Sequence, residues 1–123
     1  MTRTAFYVLT ALADEPRHGY GIVRETETLS EGQVRLRMGT LYGVLDRLTA
    51  EGLIEPDREE VHRGRLRRYH RLTDSGEAAL SAEARRMASG AQTAAHRIAA
   101  RRAGHPAGHD PLAAPPGSPG YAP

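Results

Sequence analysis

The chain has 123 residues, 39% of them hydrophobic, a formal net charge of +2 and no cysteine. Without cysteine, disulfides, thiolate zinc sites and thiol nucleophiles are excluded, and no apolar run approaches the roughly 18 residues of a membrane span. The apolar stretch near the N-terminus lacks a small-residue cleavage site and runs into charged residues, so a secretory leader is not expected and a cytoplasmic location is.

The charges are unevenly placed. All 17 basic residues are arginine, and five of them, with two histidines and no carboxylate, fall between Val61 and Thr73. The acids crowd instead into Glu55-Pro-Asp-Arg-Glu-Glu60. Such segregation makes a local positive surface on a nearly neutral chain. By charge alone the alternative is a solvated, arginine-rich hairpin.

In chain order, Ala5, Val8, Leu9 and Leu12 follow i, i+3, i+4, i+7 and predict an amphipathic helix, stopped at Asp14-Glu-Pro16. A second helix starts near His18-Gly19, turns Ile22, Val23 and Thr26 inward and ends near Leu29. Ser30 to Gln33 reads as loop and Val34-Arg-Leu36 as a very short strand. Leu41, Val44, Leu45 and Leu48 define a third helix over Thr40–Glu51, capped near Gly39-Thr40 and closed by Gly52. Leu53-Ile54 opens a strand that reaches Val61-His62. Arg63-Gly64 turns it, and Leu66 to Leu72 returns.

Thr73 can cap a long fourth helix, with Asp74 and Glu77 at its positive end. Along it Leu80, Ala84, Met87, Ala91, Ala94 and Ile98 alternate spacings of four and three, a thin heptad seam. Such a helix needs a partner surface, either a second subunit or the first helix of the same chain. Six of the eight prolines lie beyond residue 105, and residues 101–123 read as a disordered tail. The fold class expected is mainly α with a small β-hairpin wing. A winged helix-turn-helix over residues 1–73 is followed by a dimerisation helix over 74–100.

In that fold the third helix is the reader, since an α-helix fits the major groove. Its outer side carries Thr40, Tyr42, Gly43, Asp46 and Arg47, with Arg35 and Arg37 just before it. Gly43 lets a backbone approach closely. Asp46, repelled by phosphate, either accepts from a cytosine amino group or, as expected, pairs with Arg47 or another arginine. The wing tip Arg63-Gly64-Arg65 suits a narrow minor groove. Arg67, Arg68 and Arg71 are further phosphate contacts, unless Arg67 and Arg71 pair across the hairpin with Glu55, Glu59 or Glu60. His105, His109 and Asp110 have metal-like spacing, but prolines around them prevent the alignment. Nothing resembles a nucleophile motif or a phosphate loop, so neither an enzyme nor a cofactor is expected.

His18-Gly-Tyr-Gly-Ile22, Gly39-Thr-Leu-Tyr-Gly-Val-Leu-Asp-Arg-Leu48, Glu51-Gly-Leu-Ile54 and Gly64-Arg-Leu-Arg-Arg-Tyr-His-Arg-Leu-Thr73 together resemble the PadR family of winged-helix regulators, from about Ala5 to Ile98. The resemblance implies a repressor-like homodimer, joined through the C-terminal helix, on palindromic double-stranded DNA. It also implies release by a small aromatic or hydrophobic effector. Two departures stand out. Gly43 replaces a common proline, and Tyr69-His70 replaces a pair of aromatics. His70 shares a face with Leu72 and is expected to be a satisfied interior histidine. There is no tryptophan to stack an effector; Phe6, Tyr7 and Tyr20 are either substitutes or, as expected here, core residues. The alternative function is a winged-helix protein-interaction module without an operator.

Overall fold

In a computed structural model of the chain, residues 1–104 are described. They form α1 (Arg3–Ala11), β1 (Arg17–His18), α2 (Gly19–Leu29), α3 (Met38–Ala50), β2 (Ile54–His62), β3 (Arg65–Leu72) and α4 (Asp74–Gly104). One compact unit comprises Met1–Ala84, and a second begins at Arg85. The winged helix-turn-helix lies wholly in the first.

Its core grows from the helical stripes. Val8, Leu9 and Leu12 of the first helical segment, Ile22 of α2, Leu41, Val44, Leu45 and Leu48 of α3, and Ile54 of β2 are buried together. α1 starts where Thr2 Oγ1 accepts from the Ala5 amide at 3.0 Å. Arg17 ties the first three elements. Its Nε donates to the Ala11 carbonyl at 2.7 Å, and its guanidinium lies 3.2 Å from Asp14, 3.3 Å from Glu15 and 3.6 Å from Glu25.

Val34–Leu36 is not a strand. The Val34 amide is taken by Ser30 Oγ at 2.9 Å, and Val34 is buried as a plug beneath the turn from α2 to α3. Among the described residues no strand pairs with it. The additional strand is instead β1, which pairs antiparallel with β3 through Arg17↔His70 and His18↔Tyr69. The sheet order is β1-β3-β2.

α3 begins at Met38, two residues before the expected start, and Arg37 occupies the cap position without a side-chain cap bond. Gly39 and Thr40 therefore lie in its first turn. At the other end Leu53 N donates to Leu48 O at 3.0 Å, which satisfies an otherwise free carbonyl. β2 and β3 pair from Ile54↔Leu72 to His62↔Arg65, with an irregularity between Pro56 and Glu59. The turn joining them has φ of 51° at Arg63 and 77° at Gly64. Two successive left-handed residues match the natural twist of a hairpin, and glycine takes the second without strain.

Thr73 does two things. Its Oγ1 accepts from Gly76 N at 3.0 Å, capping α4, and donates to Gly52 O at 2.6 Å, fastening the helix start to the end of α3. Gly76 is buried, and a Cβ there would collide with the Leu53 carbonyl and crowd Leu72. Leu80 packs against the core. α4 continues through Gly104, so residues 101–104, read as tail, are helical. Arg101 and Arg102 are favourable there, at the negative end of the helix dipole. The rest of the expected tail, with His105, His109 and Asp110, lies outside the described residues.

Gly76→Ala should lower stability by about 1–3 kcal/mol through overpacking, although alanine is the better helix former by about 1 kcal/mol. A melting temperature equal to or above that of the wild type would show that α4 does not approach Leu53 this closely.

Candidate nucleic-acid interface

Burial of Leu41, Val44, Leu45 and Leu48 turns the opposite face of α3 outward. Thr40, Tyr42, Gly43, Asp46 and Arg47 are all exposed on it. Tyr42 is 55% exposed. A Cβ built on Gly43 would meet nothing within 4 Å, so nothing in the fold demands glycine there. Arg37 is exposed beside the helix start, and Arg35 is exposed and within 3.3 Å of Glu27. An exposed pair of this kind contributes little and is easily exchanged for another anion.

The wing sorts its charges by height. At its base Arg71 lies 2.8 Å from Glu55 and 3.3 Å from Asp57. Arg58 bridges Asp57 at 2.9 Å and Glu60 at 2.8 Å and lies 3.9 Å from the centre of the Tyr69 ring. Arg68 is 3.4 Å from Glu59. Arg71 is therefore a cross-strand partner of the acidic cluster and not a free phosphate contact. Arg63, Arg65 and Arg67 hold no ion pair among the described residues, and Arg63 and Arg65 are fully on the surface with Gly64. The acids are engaged before they reach the tip.

Between α3 and the wing runs a groove lined by Tyr42, Leu45, Asp46, Leu66, Arg68 and His70. Asp46 makes no ion pair among the described residues, contrary to the expected pairing with Arg47 or another arginine. Its helical position turns it toward the wing, where the His70 imidazole feels its charge. His70 is not the satisfied interior histidine expected. It is half-buried and its Nδ1 is buried with no hydrogen-bond partner. Burial, reinforced by Arg68, holds its pKa below the ordinary value, with Asp46 acting the other way. His18 sits against the Tyr69 ring, centroids 5.2 Å apart, and burial together with Arg67 and His62 lowers its pKa against the pull of Glu60.

Tyr20 is exposed and not a core residue, because the first turn of α2 points it outward, beside Arg24. Phe6 and Tyr7 are half-buried and meet edge to face at 5.3 Å. Periodicity alone also passed over Val61 and Leu66, exposed apolar residues on the wing. Alternation along β3 places Leu66 on the face of Arg68 and His70. Of the proposed seam, Leu80 is engaged by the core, and Ala84, Met87, Ala91, Ala94 and Ile98 are exposed. Among the described residues no group of His, Asp and Glu could hold a metal ion, and no helix is long and apolar enough to cross a membrane.

The sequence profile of the transcriptional regulator PadR-like family matches residues 8–82, from α1 through α3 and the wing into α4. The chain belongs to the PadR-like family of transcriptional regulators. Over 81 residues it is 38% identical to the transcriptional regulator Rv3488 of Mycobacterium tuberculosis, covering 66% of this chain and 72% of that one. It is also 46% identical over 81 residues to a 37.1 kDa protein in transposon TN4556 of Streptomyces fradiae, but spans only 22% of that protein's length. Among solved structures, a PadR family regulator from Clostridium difficile aligns with a TM-score of 0.66 at 19% identity, over 79% of this chain and 99% of that one. Bacillus subtilis PadR, solved in complex with operator DNA, aligns with a TM-score of 0.55 at 24% identity, over 63% of this chain and 44% of that one. Within the residues matched to the PadR-like family, the Gly39–Leu48 motif lies on α3 and Gly64–Thr73 spans the returning strand of the wing.

A histidine whose folded pKa lies below its unfolded value of about 6.5 stabilises the fold above that value, and the contribution is lost as pH falls through the folded pKa. The regulator should therefore melt at a lower temperature near pH 5 than near pH 7, and His70→Phe should make that dependence shallower. An unchanged pH dependence in the variant would remove His70 as a source of it.

Proposed function

We propose that this PadR-like regulator binds a palindromic operator as a homodimer, with α3 in the major groove and the Arg63-Gly64-Arg65 tip in the adjacent minor groove. The observation that carries this reading is the open outer face of α3 beside a wing whose tip arginines have no acidic partner. Arginine in a narrow minor groove is favoured by the enhanced negative potential there. Thr40, Tyr42, Arg47, Arg35 and Arg37 would contact base edges and phosphates, and Arg67 the backbone beside the wing. The Bacillus subtilis relative captured on its operator supports the same use of the fold.

The exposed stripe Met87, Ala91, Ala94 and Ile98 supports pairing through α4, which needs apolar cover that a single helix lacks. Two-fold pairing would place the two reading helices about 34 Å apart, one turn of duplex. The reading includes repression relieved by a small aromatic or hydrophobic effector. A cleft of about 500 Å³ within the first unit, floored by Leu12, Leu72 and Leu80, supports it. The lining of that cleft carries Arg71, the acids Asp14 and Glu15, both paired with Arg17, and the acids Asp74 and Glu77; the last two favour a neutral or cationic effector over an anionic one.

Operators are obtained by capturing genomic fragments on the protein and sequencing them. On such a duplex, Arg63→Ala with Arg65→Ala should weaken binding and reduce the slope of log affinity against log salt by about 2, one released counterion for each lost phosphate contact. An unaltered slope would take the wing tip out of the interface.

Gly43→Ala separates folding from reading. The helix should gain up to about 1 kcal/mol of stability, while operator affinity should fall roughly tenfold or more because the methyl group intrudes where backbone and bases meet. If affinity were retained in a stabilised variant, this face of α3 would not be in close contact with DNA.

A further inference from the structure

The wing carries an apolar pair with no core behind it. Val61 and Leu66 stand directly opposite each other across β2 and β3 and so share one face of the hairpin. Val61 is 74% exposed and Leu66 53%. Leu66 borders the groove that also holds Tyr42 and Arg68, and with Tyr42 it borders a second groove lined by His18, Tyr20 and Met38. Tyr42, Leu66 and Val61 therefore form a strip that runs from the reading helix up the wing. Arginines flank it: Arg63 and Arg65 at the turn, Arg67 and Arg68 along β3.

Exposed side chains of this kind scattered singly need no explanation, but a contiguous strip with a charged rim marks a contact surface. Its chemistry is selective. A second copy of the same strip would bring arginine against arginine. A polyanion with apolar faces satisfies both parts, with guanidinium groups on the anionic oxygens and aliphatic side chains on the carbon faces. The sugar-phosphate strand of a duplex is such a polymer. When a reading helix occupies the major groove and a wing the neighbouring minor groove, one such strand must pass between helix and wing. Leu66 sits in that gap.

We propose that Tyr42, Leu66 and Val61 form an apolar saddle for the deoxyribose faces of the strand that separates the two grooves, with Arg68, on the same face, exchanging its exposed pair with Glu59 for a phosphate and Arg67 at the edge of the strip. This rests on the operator reading above and assigns contacts to Val61 and Leu66 that base readout does not require. The saddle grips carbon and releases no counterions, so it contributes affinity that salt does not erode, unlike the arginine contacts.

The test uses the full chain and a captured genomic duplex. Val61→Thr with Leu66→Thr puts a β-branched residue at both strand positions, exchanging a methyl for a hydroxyl at 61 and shortening and hydroxylating the side chain at 66. Fluorescence anisotropy over a salt series should show roughly tenfold weaker binding with the same salt slope as the wild type. Melting temperature and sedimenting mass without DNA should be unchanged. Wild-type affinity in the double variant would overturn the saddle. So would a loss of affinity accompanied by a changed slope, which would mean displaced arginines, or a changed mass, which would mean that the strip joins subunits. If the wild type bound no genomic duplex, the operator reading itself would fail and the saddle with it, a result distinct from either.

Discussion

The structure depends on how α3 is held in rotation about its own axis. Leu41, Val44, Leu45 and Leu48 are buried against Val8, Leu9, Ile22 and Ile54, each contributing roughly 1.5–3 kcal/mol. A turn of one residue's worth, about 100°, would bring Tyr42 and Asp46 in one sense, or Thr40 and Arg47 in the other, into that core and expose leucines to water. The penalty for the wrong phase exceeds the whole stability of many domains of this size. The outward direction of Thr40, Tyr42, Gly43 and Arg47 therefore follows from what their neighbours bury. The clamp at the far end, where Thr73 bonds Gly52 and Gly76 lies against Leu53, ties the end of the same helix to the start of α4.

Electrostatics divides the wing in a similar way. The acidic run between Glu55 and Glu60 would cancel the nearby arginines if the two sets met evenly. They do not, because the strand register brings Arg71 to Glu55 and Arg68 to Glu59, and Arg58 takes up Asp57 and Glu60 from within its own strand. Acids at the base are neutralised, while the turn residues Arg63 and Arg65 stay beyond their reach. A net charge of +2 thus conceals a positive projection. The apolar strip beside it adds a surface that charge arithmetic does not register.

Much of this was legible in the residues. The stripes of α1 and α3 have the helical period, and Arg63-Gly64 between two β-rich runs is a hairpin turn by its chemistry. Helix order and wing followed from those signals. What was not legible depended on tertiary pairing. β1 is two residues long, and only contact with β3 makes it a strand. Val34–Leu36 has β-type residues, but the Ser30 hydroxyl claims the Val34 amide. Within the site, the outward face of α3 and the free tip arginines could be read from spacing. So could the pairing of Arg71 with Glu55 as one of two alternatives; the isolation of Asp46 and the unsatisfied Nδ1 of His70 could not. Each depends on which face of the hairpin meets α3, and on a register irregularity between Pro56 and Glu59 that Pro56 signals in kind but not in its extent. Tyr20 departs from expectation because an aromatic beside an apolar helix usually packs inward. Here the first turn of α2 faces the groove.

The account is tested most directly by backbone amide chemical shifts of the isotope-labelled protein titrated with a captured operator duplex. Perturbations are predicted to concentrate at Thr40, Tyr42, Gly43 and Arg47 and at the turn Arg63–Arg65, with smaller changes at Val8, Leu9 and Ile22 behind them. Saturable binding that left the outer face of α3 unperturbed and moved resonances elsewhere would contradict it.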